Sequence, residues 1–184
     1  EANHYKTLFA GYDVVGLDYH ADNPWDAINE FKEFFYRYRK GYDSIILLAN
    51  SIGAYFSMCA LNHERVDKAF FISPIVDMEK LILDMMGWAD ITEEKLREKQ
   101  LITTGFGETL SWEYLCYVRN HPVNWSVPTY ILYGNKDNLT SQETIHKFAN
   151  DVNAELTIMQ NGEHWFHTAE QMAFLDDWIR GLLE

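Results

Sequence analysis

The run Ile45-Ile-Leu-Leu-Ala-Asn-Ser-Ile-Gly-Ala-Tyr-Phe56 passes from a strand-like stretch straight into a helix-like one, which forces a tight turn with Ser51 at its apex. The turn reads Ala49-Asn50-Ser51-Ile52-Gly53, small residues flanking a central serine by two positions on either side. Such a turn lifts the serine hydroxyl above the edge of the sheet, and bulky groups at the flanking positions would push strand and helix apart. Ser51 is therefore a candidate nucleophile. Taken alone, the same residue also fits a plain helix cap, a role serine often fills.

Two later sites bear on that choice. Pro128-Thr-Tyr-Ile-Leu-Tyr-Gly134 is a β-rich apolar run ending in glycine, and it puts Asp137 in the loop just beyond a strand. Asp137 by itself reads equally as a turn or cap residue. Thr140 and Glu143, however, have the spacing of a capping box for the helix that follows, so that helix does not need Asp137 as its cap. Leu156-Thr-Ile-Met159 is another short strand, and the turn Gln160-Asn-Gly-Glu-His164 after it ends in histidine. Alone, His164 would be a surface loop histidine. Each of the three residues follows a predicted parallel strand, and in an open parallel sheet those ends share one edge, where the side chains can converge. His167 is the competing base, placed by its spacing in the first turn of the last helix. A metal site on His164 and His167 lacks a third ligand at sensible spacing.

The order Ser51, Asp137, His164, on small-x-Ser-x-small and two post-strand loops, resembles the α/β-hydrolase superfamily from about Gly11 onward. Ala49 stands where the family usually has the first glycine. The resemblance implies a mostly parallel sheet with helices on both faces, and a single domain over 1–184 with a helical lid insertion at about 78–127. It implies a serine hydrolase of a small carboxylic ester or thioester, with Ser51, Asp137 and His164 as the triad and the Ile52 N–H as one oxyanion donor. Carbon–carbon, amide or peptide hydrolysis by the same triad is the alternative, as is a binding module that keeps the fold without turnover. No cofactor or metal is implied.

Fifteen Lys plus Arg against 28 Asp plus Glu give a formal charge of -13, which argues against nucleic acid as a partner and against anionic membrane surfaces. A small-molecule ester is the expected partner; oligomeric state is left open. The two cysteines, Cys59 and Cys116, do not make a disulfide framework, and Cys59 reads as a buried thiol. No run is long enough to span a bilayer. A soluble, cytoplasmic protein is expected.

The strands expected are Tyr12–Leu17, Ile45–Ala49, Ala69–Ile72, Tyr130–Tyr133 and Leu156–Met159, near-continuous apolar runs suited to burial on both faces. A helix opened by Asn23-Pro24 carries Trp25, Ile28, Phe31, Phe35 and Tyr38 on one stripe, and the last helix carries Met172, Leu175, Ile179 and Leu182. Within the expected lid, helical patterns cover Glu79–Met86, Thr92–Gln100 and Leu110–Asn120. Its Met85, Met86, Trp88, Phe106, Trp112 and Tyr117 are candidates to line an acyl pocket or simply to pack the lid down.

The family's oxyanion loop, with its His-Gly or Gly-rich signature, precedes the first strand seen here, and this sequence has no His-Gly pair. Glu1-Ala-Asn-His-Tyr already reads as the helix before Tyr12. In the family, the strand carrying that loop lies between those at Tyr12 and Ile45, and a central gap would leave backbone groups without partners. The expectation is that these residues belong to a longer polypeptide. Direct pairing of the Tyr12 and Ile45 strands would contradict it.

Overall fold

The computed structural model describes residues 2–183. Glu1, with which the expected first helix opens, lies outside the described residues. Four parallel strands form the main sheet in the order β1-β2-β5-β6: β1 is Ile46–Asn50, β2 Lys68–Ile72, β5 Thr129–Gly134 and β6 Glu155–Met159. Their ladders run in unbroken register, Asn50 beside Ile72, Ile72 beside Leu132 and Gly134 beside Met159, so all carboxyl ends reach one edge.

Side-chain alternation divides the core in two. Ala69, Phe71, Ile131 and Tyr133 face a large cluster with Phe31, Phe35, Phe56 and Ile145. Phe70, Ile72, Leu132 and Met159 face a smaller one with Leu8, Phe9, Leu175 and Ile179. The first cluster is built by α2 (Pro24–Tyr38), α3 (Ser51–Leu61) and α7 (Gln142–Asp151) together with apolar residues of the chain between β2 and β5, the second by α1 (Ala2–Leu8) and α8 (Ala169–Leu183). Helices on both faces explain the near-continuous apolar strands. Phe70 and Phe71 are both fully buried, on opposite faces, each contributing about 1.5–3 kcal/mol.

The helix at Asn23-Pro24 forms as expected: the Asn23 Oδ1 accepts from Asp26 N at 2.9 Å, and Pro24 occupies the first turn, where no N–H is missed. Its buried stripe is Ala27, Phe31 and Phe35, whereas Tyr38 is exposed. At α7 the expected cap is replaced. Ser141, not Thr140, is the N-cap, accepting from Thr144 N at 3.2 Å, while the Thr140 N–H, which a capping box would give to Glu143, donates to Asp137 Oδ1 instead.

The stretch Tyr12–Leu17 is not a strand. A strand exists only through its ladder, and β1 pairs with β2 alone, leaving its other edge without a strand among the described residues. The Tyr12 stretch and β1 are therefore not paired. β1 itself is half-buried along its whole length.

Between β2 and β5 the chain makes a long excursion through α4 (Met78–Trp88), α5 (Glu93–Lys99) and α6 (Trp112–Asn120). The expected helices are present, with Thr92 capping α5 through Lys95 N. Leu110-Ser111 is the exception, belonging to an antiparallel hairpin, β3 (Leu101–Thr103) with β4 (Thr109–Ser111). Arg119 ties the excursion together: its Nη1 and Nη2 meet Glu93 Oε2 and Oε1 at 2.8 and 2.7 Å, and its Nε meets Glu79 Oε1 at 2.6 Å. The guanidinium holds the Glu93 carboxyl below its ordinary value of 4.5. A depressed carboxyl stabilises fully above its unfolded pKa and ceases to do so as pH falls through the folded one. Arg119→Ala should thus lower Tm by a few degrees at pH 7, with a smaller deficit at pH 3, as read by thermal melts at both pH values.

Candidate active site

At the end of β1 the backbone folds over so sharply that Ser51 has φ 47°, in the left-handed region that a residue with a Cβ enters only at a cost of about 1–3 kcal/mol. The serine is thus held at the sheet edge at the start of α3. Asn50, not Ser51, occupies the N-cap position of α3 and makes no side-chain cap hydrogen bond, so Ser51 is not that helix's cap. The requirement for a small residue at position 53 is looser than expected. A Cβ on Gly53 would meet Tyr19 Oη at 3.6 Å, an ordinary contact.

Ser51 Oγ lies 2.8 Å from His164 Nε2, and His164 Nδ1 lies 2.8 Å from Asp137 Oδ2. The structure thus brings together all three side chains that the sequence singles out. The side chains of His164 and Asp137 are 1% and 0% exposed, so the carboxylate needs its full set of donors. It has them: Asp137 Oδ1 accepts from Leu139 N at 2.8 Å and from Thr140 N at 3.0 Å, leaving Oδ2 for the imidazole. An ionised carboxylate only accepts, so Nδ1 carries the proton and Nε2 is the acceptor facing the serine hydroxyl. This chain of hydrogen bonds can draw a proton from Ser51 toward His164.

Neighbouring groups hold the acid loop in place. Tyr133 Oη donates to Thr140 O at 2.8 Å, and burial raises its phenol pKa to about 12. Thr140 Oγ1 donates to Pro74 O at 3.3 Å, tying the loop to the end of β2.

His167 precedes α8 instead of lying in its first turn. Its ring is exposed, with Nδ1 2.6 Å from Trp165 O, and Ser51 is bonded to His164. Ile52 sits in the first turn of α3, directly after the serine. Cys59, two turns beyond, is a free thiol whose pKa burial pushes up to about 11, which keeps it protonated and unreactive at neutral pH.

A cavity of about 240 Å³ opens at Ser51 and His164, lined further by Ile72, Phe166, Met172 and Tyr5. None of the six apolar residues proposed from the excursion lines it. Met86 is buried in the core, Met85, Trp112 and Tyr117 pack against that core, and Trp88 and Phe106 lie edge to face on the surface, 55% and 48% exposed. The contribution of α1 through Tyr5 was not legible in the sequence, because nothing in a short amphipathic helix says where it docks.

This architecture, with serine, acid and histidine at the ends of β1, β5 and β6, is the α/β-hydrolase fold. No protein-family model matches the sequence, and no curated protein matches it. Among solved structures, Est1E from Butyrivibrio proteoclasticus superposes with a TM-score of 0.70 at 15% identity, over 88% of this chain and 69% of that one. One structure of that protein has ferulic acid bound. Mouse alpha/beta hydrolase domain-containing protein 10 gives 0.65 at 14% identity, over 85% of this chain and 69% of the other. The esterase domain of a Rhodothermus marinus protein gives 0.61 at 12% identity, over 93% of this chain and 71% of the other.

Proposed function

We propose that the chain is a serine hydrolase that cleaves a small carboxylic ester, thioesters included, through an acyl-enzyme. The observation that carries this reading is the unbroken hydrogen-bonded path from Ser51 Oγ through His164 to a buried Asp137, beginning at a strained turn. The fold shared with esterases supports it.

In this mechanism His164 Nε2 takes the proton of Ser51 as Oγ attacks the carbonyl carbon, and Asp137 holds the imidazole in the required tautomer and balances its charge. The carbonyl oxygen becomes an oxyanion, toward which the Ile52 N–H donates. Collapse of the tetrahedral species returns the proton from His164 to the departing alcohol or thiol and leaves Ser51 acylated. Water then gives a proton to His164 as it attacks the acyl carbon, and the acid departs with Ser51 restored.

The cavity at Ser51, about 240 Å³ with an apolar floor of Ile72, Phe166, Met172 and Leu175, suits a compact acyl group, aromatic ones among them. The excursion from Met78 onward is read as a lid insertion, although it packs on the body and none of its residues lines this cavity.

A serine-reactive phosphonate tests the proposal. It should add one phosphonyl group to the peptide carrying Ser51, as read by mass spectrometry after digestion. A folded sample that stays unlabelled would overturn the assignment and favour a binding module.

A further inference from the structure

Asp137 and His164 hang from separate loops. Asp137 is three residues past the end of β5 and His164 is five past the end of β6, so the ladder between the strands no longer governs either of them. What joins the loops is a pair of interlocked turns. One is closed by Asp137 N donating to Gly134 O at 2.9 Å, the other by Gly162 N donating to Met159 O at 3.2 Å. Four hydrogen bonds cross between them. Asn135 N donates to Met159 O at 3.1 Å and Lys136 N to Gly162 O at 2.8 Å. Asn161 N donates to Asn135 Oδ1 at 2.7 Å, and Asn135 Nδ2 donates to Gln160 Oε1 at 2.7 Å. Asn135 therefore takes part in three of the four crossings, two of them through its side chain.

The turns also meet backbone to backbone. A Cβ on Gly134 would stand 2.4 Å from both the carbonyl carbon and the oxygen of Gly162 and 2.9 Å from Glu163 N. In return, a Cβ on Gly162 would stand 3.0 Å from Gly134 Cα. No side chain fits there, and what a methyl group would displace is the carbonyl that accepts from Lys136 N. Neither Asn135 nor either glycine lines the cavity at Ser51, so any effect they have on chemistry must pass through Asp137 and His164.

We infer that this clasp sets the distance between Asp137 Oδ2 and His164 Nδ1, with Asn135 and the Gly134–Gly162 contact as its positioning elements. The inference rests on reading Asp137 and His164 as a working acid–imidazole pair. The β5–β6 ladder would keep the strands together without the clasp. The two loops beyond it would then move independently, and a displacement of about 1 Å between such groups costs on the order of a hundred-fold in rate.

The test compares Asn135→Ala, Asn135→Asp and Gly134→Ala with the wild type. One readout is the His164 Nδ1–H proton resonance in the resting protein, which reports the bond to Asp137 whether or not the protein turns over substrate. The other is the rate of phosphonate labelling at Ser51, with a thermal melt to confirm folding. Asn135→Ala should broaden or shift the resonance upfield and slow labelling about ten-fold, and Gly134→Ala about a hundred-fold. Asn135→Asp, which keeps the acceptor for Asn161 N, should fall between wild type and Asn135→Ala.

A merely structural role would lower Tm while leaving the resonance and the labelling rate of the folded protein unchanged. That result for Asn135→Ala overturns the inference. If Gly134→Ala fails to fold, the two Asn135 variants still decide. An unlabelled wild type would refute the hydrolase reading, while the resonance would continue to test the clasp.

Discussion

Replacing Ser51 with alanine should lower turnover of an activated ester by on the order of a million-fold, leaving the melting curve close to that of the parent. The size follows from the site. His164 Nε2 has Ser51 Oγ as its partner at 2.8 Å, so once the hydroxyl is gone no group is placed to form the acyl bond. What remains is water, activated less well at a position the site does not define. The backbone should tolerate the change, since alanine leaves the turn's backbone path unaltered, although its φ of 47° stays costly. Steady-state kinetics with purified protein provide the check. An alanine variant within ten-fold of the parent would mean that some other group does the chemistry.

Asp137→Asn is expected to reduce kcat by on the order of ten-thousand-fold with little change in fold. The reason lies in how the carboxylate is held. Oδ1 accepts from two backbone donors, Leu139 N and Thr140 N, and those N–H groups will keep an acceptor in front of them whichever side chain is present. The asparagine oxygen must therefore take that position, which turns its NH₂ toward His164 Nδ1. An imidazole facing a donor places its own proton on Nε2, and that nitrogen can no longer accept from Ser51. The variant is thus expected to be ordered, folded and inactive. Phosphonate labelling should slow in parallel with turnover. If kcat fell only a few-fold, the carboxylate would not be governing the tautomer.

The parts of the site that could be read in the sequence were those whose meaning is local. Ser51, Asp137 and His164 each follow an apolar run that makes a strand, and the parallel order of those strands brings their ends together without further information. Asn23-Pro24 announces α2 because capping is decided within a few residues. The parts that could not be read depend on distant partners. Tyr12–Leu17 has the composition of a strand, but pairing belongs to two segments at once, and among the described residues β1 pairs only with β2. Thr140 had the spacing of a capping box with Glu143, but its N–H is taken by Asp137 and the cap falls one residue later, at Ser141. The β3–β4 hairpin, three residues to a strand, was too short to interrupt the helical patterns on either side of it. In the sequence Gly134 ends a strand-like run and Gly162 falls in a turn; their mutual contact is visible only in three dimensions.

The same strand that aims Ser51 carries a second property. Along its outer side β1 offers a row of backbone donors and acceptors that no ladder among the described residues saturates, on a segment made of Ile46, Leu47, Leu48 and Ala49. Such a border is adhesive, and any extended apolar peptide of matching length meets a ready template there. Handling the protein at high concentration therefore invites aggregation that begins at the strand leading into Ser51, where loss of activity and loss of solubility would share a cause.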